Sequence, residues 1–121
     1  MLNYRVDSHS PQQWDLVVGR FDDANIYQTH AYSKICHGTP NTSKIVVRRG
    51  NDTIGAAIVR IYKISGLPLG IGYVYWGPLW KRNDKVEFAN YVDTVKALVQ
   101  EYIVHRGLAL RINPFLYKNE A

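Results

Sequence analysis

The stretch Tyr73-Val74-Tyr75-Trp76-Gly77-Pro78, the amphipathic run from Asp84 to His105 and the close at Leu108-Ala109-Leu110-Arg111-Ile112-Asn113-Pro114 together decide the fold. The first four residues are aromatic or β-branched, as strands favour, and Gly77-Pro78 ends them. Over 84–105 apolar side chains recur at Phe88, Tyr91, Val92, Val95, Leu98, Val99, Tyr102 and Ile103. That is the period of one helical face, and Gly107 supplies the C-terminal stop. Leu108–Ile112 returns to strand composition, so this part of the chain reads as a strand-helix-strand crossover.

Upstream, Lys44–Arg49 and Thr53–Ile64 flank Gly50-Asn51-Asp52, a turn sequence between two β-rich runs, and this predicts a hairpin. Gly66–Gly72 is rich enough in Gly and Pro to read as irregular. Leu2–Val6 alternates apolar and polar residues, the period of a half-buried strand. Ser10, Pro11 and Gln13 combine an N-cap, a first-turn proline and a capping-box partner. A helix over 11–20 follows, with Trp14, Val17, Val18 and Phe21 inward. A second helix is expected over 27–37, ended by Gly38-Thr39-Pro40. The expected order is β1 (2–6), α1 (11–20), α2 (27–37), β2 (44–49), β3 (53–64), β4 (73–76), α3 (84–105), β5 (108–112). The class is α/β in the α+β arrangement, with a mixed, mostly antiparallel sheet in a single domain over 1–121.

At 121 residues the chain can bury one core, and its 46% apolar and 21% charged residues are ordinary for a globular domain. A net charge of +5 arises from scattered Lys and Arg, with short groupings at Arg48-Arg49 and Lys81-Arg82-Lys85. This charge suits an anionic substrate or a phosphate-bearing headgroup. Neither a dense basic stripe nor a base-reading motif is present, which argues against sequence-specific nucleic-acid binding. Cys36 is the single cysteine, so no internal disulfide forms, no metal-ligand spacing appears, and a reducing, cytoplasmic setting is expected. No run approaches the roughly 18 apolar residues of a membrane span.

The element order resembles the first part of the Gcn5-related acetyltransferase fold. Three segments carry a closer likeness, to the Fem-type aminoacyltransferases that build peptidoglycan cross-bridges. They are Asn25–Lys34, with its Gln28, aromatics and Lys34; Gly70–Pro78, a glycine-aromatic strand ending in Gly-Pro; and Leu110–Pro114, a Leu-Arg-apolar-Asn-Pro strand end. The resemblance implies that the chain is most of the first half of a longer, two-halved enzyme and is incomplete at its C-terminus. It implies an acceptor that is a nucleotide- or lipid-linked muropeptide, with an aminoacyl-tRNA or acyl thioester donor reaching the groove completed by the other half. It assigns no cofactor. Other readings are a non-catalytic, degenerate binding module and a small coenzyme A-dependent N-acetyltransferase. The loop 77–84 argues against the last, because it holds one Gly, a Pro without an N–H, and Asp84 at the helix start, features that suit a pyrophosphate cradle poorly.

By the same resemblance Lys34, Tyr73, Tyr75, Trp76 and Arg111 are the candidate substrate-binding residues. Lys34 could pair with a phosphate or carboxylate, or be a solvated helix lysine. Tyr73, Tyr75 and Trp76 could stack on a sugar or base, or pack one sheet face. Arg111 could hold an anion or pair with an acidic neighbour. Gly77 and Pro78 are expected to shape a turn. Gln28 reads as a helix-start hydrogen-bonding residue and Asp22-Asp23 as a solvated loop, while His105 suits the negative end of a helix. No catalytic residue is assigned.

Overall fold

The computed structural model describes residues 2–24, 28–30, 42–63, 66, 70–75, 77–81 and 88–113. These form a five-stranded sheet in the order β1-β2-β3-β4-β5, with strands Leu2–Val6, Thr42–Arg49, Asp52–Lys63, Gly70–Tyr75 and Ala109–Asn113. Successive strands pair antiparallel as far as β4, and β4 pairs parallel with β5 across the α3 crossover. The expected class and sheet arrangement hold. The helix expected over 27–37 lies, apart from 28–30, outside the described residues.

Helix α1, Pro11–Val18, starts as its sequence requires. The Ser10 hydroxyl accepts from the Gln13 N–H, and Gln13 Oε1 accepts from the Ser10 N–H. The helix ends two residues earlier than expected, with Gly19 as its C-cap. Trp14 and Val18 of α1, with Phe21, pack on Val46, Ala56, Ile58 and Leu79 to form a core on one face of the sheet. The other face carries the larger core, in which Ile45, Val47, Ala57, Val59 and Val74 meet Ala97, Leu98 and Tyr102 of α3.

Strand β4 begins at Gly70, three residues before the position expected from sequence. Its glycines are required by packing: a Cβ at Gly70 would lie 2.8 Å from Leu108 Cδ2, and one at Gly72 would lie 3.1 Å from Val59 Cγ1. They allow close contact with neighbouring side chains while the backbone stays extended.

Helix α3 spans Phe88–Leu98 and continues as π-helix over Val99–His105, so its C-terminal limit matches the sequence expectation. Its buried face is a correction. The residues facing the sheet are Asn90, Thr94, Ala97, Leu98 and Tyr102, while Phe88, Val92, Val99 and Ile103 are exposed. The polar members can be buried because each has a partner. Asn90 Oδ1 accepts from Arg49 Nη1 at 3.0 Å, Thr94 Oγ1 donates to the Asn90 carbonyl at 2.7 Å, and the Tyr102 hydroxyl meets Ser43 Oγ at 2.7 Å. Arg49 also pairs with Asp93. Small residues complete the fit, with Gly55 of β3 directly beneath Thr94.

Candidate functional site

Side-chain alternation sorts the sheet into its two faces. Val59, Val74, Leu110 and Ile112 point toward α3, so Arg60, Tyr73 and Arg111 point to the face that carries α1. The register lines these three up across adjacent strands, with Tyr73 opposite Arg60 on β3 and opposite Arg111 on β5. Tyr62 and Ile71, also paired in register, continue the face by one row. Together the five residues line an open cavity of about 440 Å³.

Within this row the Arg111 guanidinium lies 5.5 Å from the centre of the Tyr73 ring, in cation–π range. Arg60 is 6% exposed, so its charge sits in the floor, whereas Tyr62 and Ile71 are exposed at the rim. The arrangement offers two guanidinium groups beside an aromatic face. Guanidinium forks suit phosphate or carboxylate oxygens, and the ring suits an apolar or planar group alongside.

Of the residues proposed from sequence, Tyr73 and Arg111 are therefore brought together. The Arg111 guanidinium lies over the Tyr73 ring, and among the described residues it makes no ion pair. Tyr75 pairs with Asn113 through the backbone, at the carboxyl end of the parallel pair. Lys34 and Trp76 lie outside the described residues. Arg60, Tyr62 and Ile71 were missed, although pairing the Thr53–Ile64 strand against the glycine-aromatic strand would have aligned Arg60 with Tyr73.

Beyond β4 the chain turns through a cis Gly77-Pro78 peptide bond. Leu79 then bridges to Ala56, its N–H donating to the Ala56 carbonyl at 2.8 Å. The next two N–H groups are also taken. Trp80 donates to Asp23 Oδ2 at 3.1 Å and Lys81 donates to Asp23 Oδ1 at 3.2 Å. Asp23 is 3% exposed, so it is no solvated loop residue; its carboxylate fills the place an anion would take at these amides. Burial raises its pKa, opposed by the bonds from Trp80 and Lys81. With Pro78 lacking an N–H, residues 78–81 have no backbone donor to offer a pyrophosphate.

Gln28 is likewise structural. It is buried against Gly77, its Oε1 accepts from the Ile58 N–H at 2.7 Å, and its carbonyl accepts from Trp14 Nε1 at 2.8 Å. It ties the segment before β2 to β3 and α1, a larger role than the helix-start hydrogen bond expected of it. His105 ends the π-helical turns, its Nδ1 lying 3.7 Å from Glu101 Oε1. Among the described residues no helix is long and apolar enough to cross a membrane.

Solved structures share this arrangement of crossover and sheet. A ribosomal-protein-alanine N-acetyltransferase from Brucella melitensis biovar Abortus 2308 superposes with a TM-score of 0.61, covering 99% of this chain and 84% of its own at 8% identity. The fold is that of the acetyltransferases. A predicted acetyltransferase from Clostridium acetobutylicum, solved with acetyl-CoA, gives a TM-score of 0.56 at 14% identity, over 98% of this chain and 83% of its own. FemX gives 0.54 at 19% identity, over 79% of this chain and only 24% of its own length. No family model matches the chain, and no curated protein matches it.

Proposed function

We propose that the protein serves acyl transfer to an amine, and that this chain binds the acceptor on the open sheet face at Arg60, Tyr73 and Arg111. The observation that carries this reading is the row itself, in which two cationic side chains flank an aromatic ring on the face left open beside α1. An acceptor with a phosphate or carboxylate next to a sugar or peptide would match it, as a nucleotide- or lipid-linked muropeptide does. The likeness to FemX and the three sequence segments that resemble those of Fem-type enzymes support that acceptor class. The donor would be an activated ester or thioester whose carbonyl the acceptor amine attacks, releasing alcohol or thiol. Positioning of the amine and stabilisation of the oxyanion would supply most of the acceleration.

A second reading, a self-contained coenzyme A-dependent acetyltransferase, is favoured by the 84% coverage of the Brucella enzyme. Against it stand the amides of 79–81, which are occupied by Ala56 and Asp23. Calorimetric titration separates the two. The acceptor reading predicts saturable heat with a nucleotide-linked muropeptide and at least a tenfold weaker affinity in Arg111→Ala. Saturable binding of acetyl-CoA alone, unaffected by Arg111→Ala, would replace it with the second reading.

A further inference from the structure

Adjacent arginines on β2 have opposite fates. Arg49 turns toward α3, where Asn90 and Asp93 engage it. Arg48 turns to the α1 face, where it joins Arg5 of β1 and Arg20 from the end of α1 around a polar cavity of about 280 Å³. Ser8, His9, Gln13 and Thr53 complete its polar wall, and among the described residues no Asp or Glu lines it. Among the described residues the side chains of Arg5, Arg20 and Arg48 make no hydrogen bond or ion pair. The nearby carboxylate of Asp7 is already engaged by the Lys44 N–H at 2.7 Å, the Ser43 hydroxyl at 3.0 Å and Arg106 at 3.5 Å.

We infer that this cleft between α1 and the β1–β2 edge is a binding site for a diphosphate group, held by Arg5, Arg20 and Arg48. Three arginines line one cleft whose described lining holds no carboxylate, and a multiply charged oxyanion can accept from several planar guanidinium forks at once. A single carboxylate would satisfy one fork and leave two. His9 reports the same field. Burial pushes its pKa down, and the charges of Arg48 and Arg5, with Lys44 beyond them, push it further. The site is separate from the Arg60–Tyr73–Arg111 row and stands independently of the acyl-transfer reading.

The test is an NMR titration of the whole chain with inorganic pyrophosphate at constant ionic strength, following the His9 ring. Binding should be saturable and should raise the His9 pKa, because the anion cancels the arginine charges. Affinity should fall at least tenfold in Arg48→Ala and in Arg20→Ala; Arg20 is exposed, so that variant keeps the test open if Arg48→Ala fails to fold. Sodium chloride at matched ionic strength reproducing the response would overturn the inference. So would unchanged pyrophosphate affinity in a folded Arg20→Ala.

Discussion

Replacing Gly55 by alanine tests how α3 sits on the sheet. A Cβ at this position would lie 1.9 Å from Thr94 Oγ1, 2.7 Å from Thr94 Cγ2 and 2.8 Å from Thr94 Cβ. Rotating the threonine can move only one of its two γ atoms out of the way and leaves the Cβ contact unchanged, and Thr94 is fully buried with nowhere to retreat. Helix and strand must therefore separate locally, which places the cost at the upper end of the usual range for overpacking, about 3 kcal/mol. That corresponds to roughly a hundredfold loss in the folding equilibrium. Thr94→Ala alone should cost only about 1 kcal/mol, since its hydroxyl bonds within its own helix, to the Asn90 carbonyl. In the double variant only the Cβ–Cβ contact remains, so it should be more stable than the sum of the singles by at least about 1 kcal/mol. Urea unfolding followed by the fluorescence of buried Trp14 measures all three. A Gly55→Ala cost under about 0.5 kcal/mol, or strict additivity with Thr94→Ala, would refute the packing of α3 described above.

Two further predictions concern charge. Asp23→Ala leaves the part-buried amides of Trp80 and Lys81 without their acceptor and should destabilise the fold by about 1–2 kcal/mol at pH 7; the same unfolding assay measures it, and a neutral effect would show that water replaces the carboxylate. His9 has a lowered pKa in the folded chain, so the unfolded state binds more protons in the window between that value and 6.5. Stability should therefore rise with pH through that window and gain nothing more from His9 above it. His9→Gln should flatten that rise in thermal melts taken across pH 5 to 7.

Much of this architecture was legible in the residues. The capping box at Ser10 and Gln13, the Gly50-Asn51-Asp52 hairpin and the Gly107 stop are local signals, and local hydrogen bonding or backbone freedom enforces each. The buried face of α3 was not legible because apolar periodicity assumes that polar residues face water. Here Asn90 and Thr94 are buried with their hydrogen bonds satisfied, and Gly55 rewards a small side chain above it with close approach. Gly70 and Gly72 misled for a related reason: their contacts with Leu108 and Val59 come from distant parts of the chain. At the candidate site, Tyr73 and Arg111 could be named from their strand ends. Arg60 required the register of β3 against β4, and Asp23 required knowing that the chain after Pro78 returns to it.

The most direct test of the acyl-acceptor account is hydrogen exchange of the chain with and without a nucleotide-linked muropeptide. The account predicts slowed exchange in β3 near Arg60, in β4 near Tyr73 and in β5 near Arg111, reduced in Arg111→Ala. Slowing confined to other parts of the chain, or none at saturating ligand, would contradict it.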